Sequence, residues 1–169
     1  QGGSDEKTRV RGRGGRCRRG AVARGGRRVF VHRLEPTAGE FVELHNTGAV
    51  PVSLNGWCFV DGIQACFSTQ HSIPAGGYLV VAADHDGFLA TYGFPADHTY
   101  TLVLDDNGER LALNDAMDAL VDELSFDDGG PWPVLPDGLG PSLELIDASQ
   151  DNNRPANWAA SPSAGGTPG

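Results

Sequence analysis

Apolar and polar positions alternate in short runs along most of this chain, with Gly, Asn, Asp and Pro between the runs. The clearest run is Glu40-Phe41-Val42-Glu43-Leu44-His45, an imperfect alternation of the kind a half-buried strand produces. Asn46-Thr47-Gly48 follows as a turn, because Asn and Gly tolerate positive φ. After a short strand at Val50–Leu54, Asn55-Gly56 turns again, aiming Trp57 and Phe59 to one side and Cys58 and Val60 to the other. A first strand is expected at Val29–Leu34, ended by Glu35-Pro36, and a hairpin at Trp57–Phe67. Tyr78–Ala83 is nearly continuous in apolar residues, which predicts a buried central strand. Asp84 is placed to cap a helix over 85–92 that Gly93 would stop, with Phe88, Leu89 and Tyr92 facing inward. Further strands are expected at Tyr100–Leu104, Glu109–Asn114, Leu120–Phe126 and Ser142–Ile146, with Asp106-Asn107-Gly108 turning between the first two. Beyond Ile146 the reading is a polar coil that Trp158 pins back onto the body. Strands at intervals of about 8–12 residues with turn signals between them predict an antiparallel β-sandwich.

Several of these stretches also carry a resemblance. The run from Phe41-Val42-Glu43-Leu44 through Asn46, Gly48, Val52, Leu54 and Gly56-Trp57 to Asp61-Gly62 resembles the lamin tail domain. Ile73-Pro74-Ala75-Gly76-Gly77-Tyr78-Leu79-Val80-Val81-Ala82 and Glu109-Arg110-Leu111-Ala112-Leu113-Asn114-Asp115 extend it. So do Gly140-Pro141-Ser142-Leu143-Glu144-Leu145-Ile146, Pro155-Ala156-Asn157-Trp158 and the closing Gly165–Gly169. The resemblance covers about residues 29–169 and departs at His32-Arg33, where the family usually has Asn-Glu. It implies an immunoglobulin-like sandwich, a module of nuclear intermediate filaments and of exported bacterial multidomain proteins. It also implies an interaction or tethering role and an extracellular or cell-envelope setting, although no signal peptide is visible.

Charge divides the chain. Residues 1–28 hold ten Lys/Arg against Asp5 and Glu6, a balance of +8; the remainder holds three against 20 acidic residues, or −17, giving the net −9. The first 28 residues are rich in Gly and Arg and poor in apolar residues, so they are read as a disordered arm preceding a single domain at 29–169. The arm resembles Arg-Gly segments that hold nucleic acid or anionic surfaces by charge, but lacks their interleaved aromatics. The acidic body disfavours nucleic acid. No stretch approaches the roughly 20 apolar residues of a membrane-spanning helix.

Cys17, Cys58 and Cys66 lack zinc spacing and are too few for a disulfide scaffold. Cys58 and Cys66 flank the Asp61-Gly62 turn. A three-residue loop (Asp61, Gly62, Ile63) would set them face to face within disulfide range; a two-residue loop would put them on opposite faces. Both registers are open at this stage.

Chemistry is sparse. His32 and His45 sit on expected strands, and His71, His85 and His98 on separate elements without metal-protease spacing. Ser53 and Ser142 have no elbow motif, Glu40 and Glu43 point to opposite faces, and no phosphate loop is present. No catalytic residue is assigned, and no enzyme is expected. Oxygen-rich loops at Asp84/Asp86, Asp105/Asp106 and Asp147/Asp151 suit Ca²⁺ by ligand type, but none has the spacing of a known calcium loop. Turn residues account for them more simply. Weak contact candidates are Trp132 and Asp137 in the 127–137 loop and Glu109 in the 105–109 turn; Trp132 also fits the core.

The reading is an all-β, immunoglobulin-like antiparallel sandwich acting without cofactor as an interaction or tethering module of a larger, exported bacterial protein. Three alternatives follow: a calcium-dependent adhesive or glycan-binding module, nucleic-acid binding through residues 1–28, and an accessory domain beside a nuclease or phosphatase. The partner is not named by any of these residues.

Overall fold

A computed structural model describes residues 27–32, 39–134 and 141–169. Most of the basic arm, and with it Cys17, lies outside the described residues, as does Asp137. Two four-stranded sheets carry the fold. One has the order β1 (Arg27–His32), β2 (Phe41–Asn46), β7 (Tyr78–Ala82), β8 (His98–Thr99). The other has the order β10 (Leu120–Ser125), β9 (Arg110–Asn114), β4 (Cys58–Asp61), β5 (Ala65–Cys66). Two ribbons complete it: β3 (Val52–Ser53) with β6 (Ser72–Ile73), and β11 (Pro141–Leu145) with β12 (Trp158–Ala164).

All named pairs are antiparallel except β7 and β8, which run parallel. A parallel pair needs a crossover, and helix α1 (His85–Tyr92) lies within it. The helix takes the bounds its signals predict. Asp84 accepts a hydrogen bond from the Asp86 amide at its start, and Gly93 ends it in the left-handed conformation (φ 79°). Phe88 is buried and Tyr92 packs beneath it, but Leu89 is 40% exposed. Adjacent helical positions lie about 100° apart, so Phe88 and Leu89 cannot both face the sheet.

Both faces of β2 and β7 are covered. Val42, Leu44, Leu79 and Val81 point between the sheets, meeting Trp57, Phe59, Ile63, Leu111, Leu113 and Leu124. Phe41, Val80 and Ala82 point outward and are buried by Phe88, Ala96 and Tyr92. Burial on two faces is why β2 alternates imperfectly. Asn46, fully buried at the end of β2, ties two turns together. Its amide donates to the carbonyls of Val50 (2.9 Å), Ile73 (3.1 Å) and Pro74 (2.9 Å), and its oxygen accepts from the Gly48 amide (3.0 Å).

Three expectations need correction. Tyr100–Leu104 is not a strand: β8 ends at Thr99, and only Thr101 pairs onward, bridging to Gln64. The Glu40 carboxylate takes the Tyr100 hydroxyl (2.5 Å) and the Leu104 amide (2.9 Å), while Leu102 adopts φ 70°, which breaks an extended run. The turn at Asp105–Gly108 therefore feeds β9 from a crossing segment and not from a hairpin partner. Lastly, the polar tail is not all coil, since Trp158–Ala164 forms β12 against β11. Trp158 is buried as expected, and its indole N–H donates to the Asn152 carbonyl (2.7 Å).

Candidate interaction surface

One end of the second sheet gathers six acidic residues from separate turns. β9 begins there at Arg110, β10 ends there at Ser125, and β4 ends there at Asp61. The Asp105–Arg110 turn packs directly on the start of the 127–134 loop. Gly108 sits at φ 95° with a Cβ position that would collide with the Phe126 carbonyl and Asp127, so only glycine fits. Phe126 donates its amide to the Glu109 carbonyl (3.0 Å), holding the two segments together. Gly62, at φ 76°, brings the Asp61 turn equally close to Arg110 and Glu109. The sequence did not reveal that Asp61, Asp105, Asp106, Glu109, Asp127 and Asp128 share one end. The missing signal was strand pairing between β4 and β9, which separates Asp61 from Arg110 by 49 positions.

Arg110 bridges Asp61 (2.6 Å) and Glu123 (2.7 Å), and these hydrogen bonds raise its already high pKa. Glu109 titrates above the usual carboxylate range. Burial is the main cause, opposed by the Asp105 amide that it accepts (3.0 Å) and reinforced by the charges of Asp105, Glu40 and Asp61. This end therefore presents concentrated negative charge on short, internally braced loops.

The carboxylates expected as possible metal ligands lie on three separate connections. Asp84 caps α1, and Asp86 sits 3.2 Å from the His85 imidazole. Asp105 Oδ1 accepts from the backbone and side-chain nitrogens of Asn107 (2.9 and 3.0 Å). Asp147 accepts from Ser149 and Gln150, and Asp151 from the Asn153 amide (3.0 Å). Among the described residues, no group of three His, Cys, Asp or Glu side chains is placed to hold a metal ion. Trp132 is buried, its ring centroid 6.1 Å from that of Trp158, so it serves the core and not the surface.

Two histidines on separate elements meet, which sequence spacing did not suggest. The rings of His71 and His98 lie 4.5 Å apart against Phe67. Ser68 donates its amide to His71 Nδ1 (3.1 Å), and its hydroxyl lies 3.2 Å from the same nitrogen. That is a closed turn, since the His71 amide returns to the Ser68 carbonyl (3.1 Å). His98 donates from Nε2 to the Cys66 carbonyl (3.2 Å), and burial followed by the neighbouring His71 depresses its pKa. His45 stacks on Tyr78 with centroids 4.3 Å apart, and burial lowers its pKa.

The hairpin takes the three-residue loop. Cys58 pairs with Cys66 across β4 and β5, and the two form a disulfide with Cα atoms 4.2 Å apart. A model of the Lamin Tail Domain family matches residues 23–128. The chain belongs to that family. The match covers the first sheet, the second sheet and helix α1, and stops before the β11–β12 ribbon. No curated protein matches the chain. Lamin tail domains are immunoglobulin-like sandwiches, and the two packed sheets of this one agree with that fold. Its family membership suggests a non-catalytic interaction domain. Among the described residues of this lamin tail domain, no helix is long and apolar enough to cross a membrane.

Proposed function

We propose that this lamin tail domain is a tethering module that docks a basic protein or cell-surface partner through the acidic end of its second sheet. The observation that carries this reading is the convergence of the Asp61, Asp105–Glu109 and Asp127–Asp128 segments, braced by Gly62, Gly108 and Arg110. Rigid loops at the end of a sandwich are where such folds place contacts, and a single-sign surface accelerates encounter with an opposite one. The Cys58–Cys66 bridge supports an exported setting, since disulfides persist in oxidising compartments. A parent protein that is exported and multidomain, of bacterial type, is part of the same proposal.

Fluorescence anisotropy of a labelled oligolysine peptide against the full chain tests the reading. Binding should weaken as salt rises through about 0.1–0.5 M, as expected for exposed charges. The combined variant Asp105→Asn, Asp106→Asn and Asp127→Asn should lose at least tenfold in affinity. Equal binding by this variant and the parent chain would move the contact elsewhere. A parallel thermal melt in EDTA and in millimolar Ca²⁺ separates the calcium-dependent alternative, because a ligand that prefers the folded state raises the midpoint.

A further inference from the structure

The segment that crosses from β8 to β9 is pinned on both sides of two exposed apolar side chains. Tyr100 (4% exposed) and Leu104 (2%) are buried, and both are tied to the carboxylate of Glu40, itself buried. The Tyr100 amide also donates to the Ala82 carbonyl (3.0 Å). Thr101 and Gln64 exchange backbone hydrogen bonds of 2.9 and 3.0 Å, and the Asp105 amide donates to Glu109 Oε1 (3.0 Å). Between these anchors Leu102 and Val103 stand 57% and 58% exposed. Leu102 does so at φ 70°, a left-handed conformation that a bulky side chain adopts only at a cost.

Single exposed apolar side chains are ordinary on a protein surface. Here a buried carboxylate, two buried side chains and a strained residue hold a pair of them in a fixed outward position. Val60, on β4, is a third, 53% exposed, and the Gln64–Thr101 bridge joins the β4–β5 hairpin to the crossing segment. Exposed acidic residues follow on both connections: Asp61 directly after Val60, and Asp105 and Asp106 shortly after Val103. Apolar and acidic positions therefore run in the same order along two connections that the bridge ties together.

We propose that Leu102 and Val103, together with Val60, are the apolar anchor of the acidic docking surface, and that the partner it takes is an amphipathic basic segment of a protein. Large apolar side chains of that segment cover the anchor, and Lys or Arg close to them in its sequence meet the charge of Asp105 and Asp106. The chain from Val103 to Asp106 spans at most about 11 Å, so apolar and basic side chains two or three residues apart on an extended partner match it. The proposal rests on the acidic end being the docking surface, and adds what discriminates among basic partners. Charge alone attracts any polycation and fades with salt, whereas apolar burial does not fade. An anchor already fixed loses little freedom on binding, so more of that burial appears as affinity.

The test titrates the full chain with two labelled peptides, an oligolysine and a peptide of equal charge with two leucines among its lysines, read by fluorescence anisotropy. At about 0.5 M NaCl the leucine peptide should bind at least about tenfold more tightly than oligolysine. Leu102→Ser with Val103→Ser should abolish that advantage and leave oligolysine binding at low salt unchanged. Leu102→Gly suits φ 70° without strain, so it should shrink the advantage without lowering the melting midpoint. It carries the test should the double variant misfold. Equal binding of the two peptides, or a leucine advantage that survives both variants, would overturn the anchor and leave the acidic end standing. Failure of both peptides to bind at low salt would overturn the acidic-end reading and the anchor with it.

Discussion

The two faces of the β2–β7 pair make unlike cores from the same two strands. The inner face is apolar over Val42, Leu44, Leu79 and Val81, with Glu40 and Asn46 buried and hydrogen-bonded at its margins, and meets the second sheet through Trp57, Phe59, Leu111 and Leu124. The outer face mixes Phe41, Val80 and Ala82 with the buried carboxylate of Glu43, which accepts the Gly169 amide (2.6 Å), and is roofed by helix α1. Apolar burial is insensitive to pH and salt, whereas a buried carboxylate is not. The inner face should therefore hold the fold, and the outer face should respond to conditions.

Truncation inside the inner core is the largest expected effect. Trp57→Ala should cost about 4 kcal/mol, the usual range for deleting a buried aromatic, and lower the urea midpoint without changing the slope. A loss below about 1 kcal/mol would mean that the inner face is not the main core, and the contrast would fail.

Titration comes next and separates the faces directly. Glu43 has a raised pKa in the folded state, about 7 against 4.5, so the folded protein holds its proton longer than the unfolded chain does. Its contribution is fully present below about pH 4.5 and is lost as pH rises to about 7, a change of about 3 kcal/mol. His45 and His98 have depressed values and act in the opposite sense: their contribution is present above 6.5 and is lost as pH falls through their folded values. Urea melts across pH 4.5–8 should show stability falling toward neutrality, and Glu43→Gln should remove that fall while leaving the histidine limb. A parallel shift of the whole curve in Glu43→Gln, with its shape intact, would reassign the pH dependence to other groups.

Reducing the Cys58–Cys66 bridge should matter less, because it closes only a short loop. Eight positions separate the cysteines, which by loop entropy is worth about 2.5 kcal/mol. A melt with and without reductant measures it, and Cys58→Ala with Cys66→Ala should match the reduced protein.

The inner face was the legible part of this molecule, since Trp57 and Phe59 alternate against Cys58 and Val60 between clear turns. Helix α1 was equally legible, because Asp84 and Gly93 bracket it and act within their own turn. What failed depended on distant partners. Glu40 draws Tyr100 and Leu104 out of a regular strand from 60 and 64 positions away, and no local pattern carries that information. The tail read as coil because β12 contains Ser161, Pro162 and Ser163, and its partner β11 decides its conformation. At the acidic end, Asp105 and Glu109 were legible as a turn, but their meeting with Asp61 and Asp127 depends on strand order. Glu43 was visible only as half of an ordinary alternation, and its contact with the Gly169 amide comes from 126 positions on.

The smallest effect tests whether the outer face can be disturbed alone. Asp84 lies in extended backbone (φ −134°, ψ 117°) and satisfies the Asp86 amide at the start of α1. Asp84→Ala leaves that donor without its cap and should cost about 1 kcal/mol. The cost should fall on α1 and the cluster it roofs, because Phe88 and Tyr92 reach Phe41 but not the space between the sheets. Native-state hydrogen exchange should then show faster opening at α1 amides and at Val80, with the amides of β9 unchanged. Equal acceleration at β9 would mean that the two faces open as one cooperative unit, and the outer face would then lose its separate response to conditions.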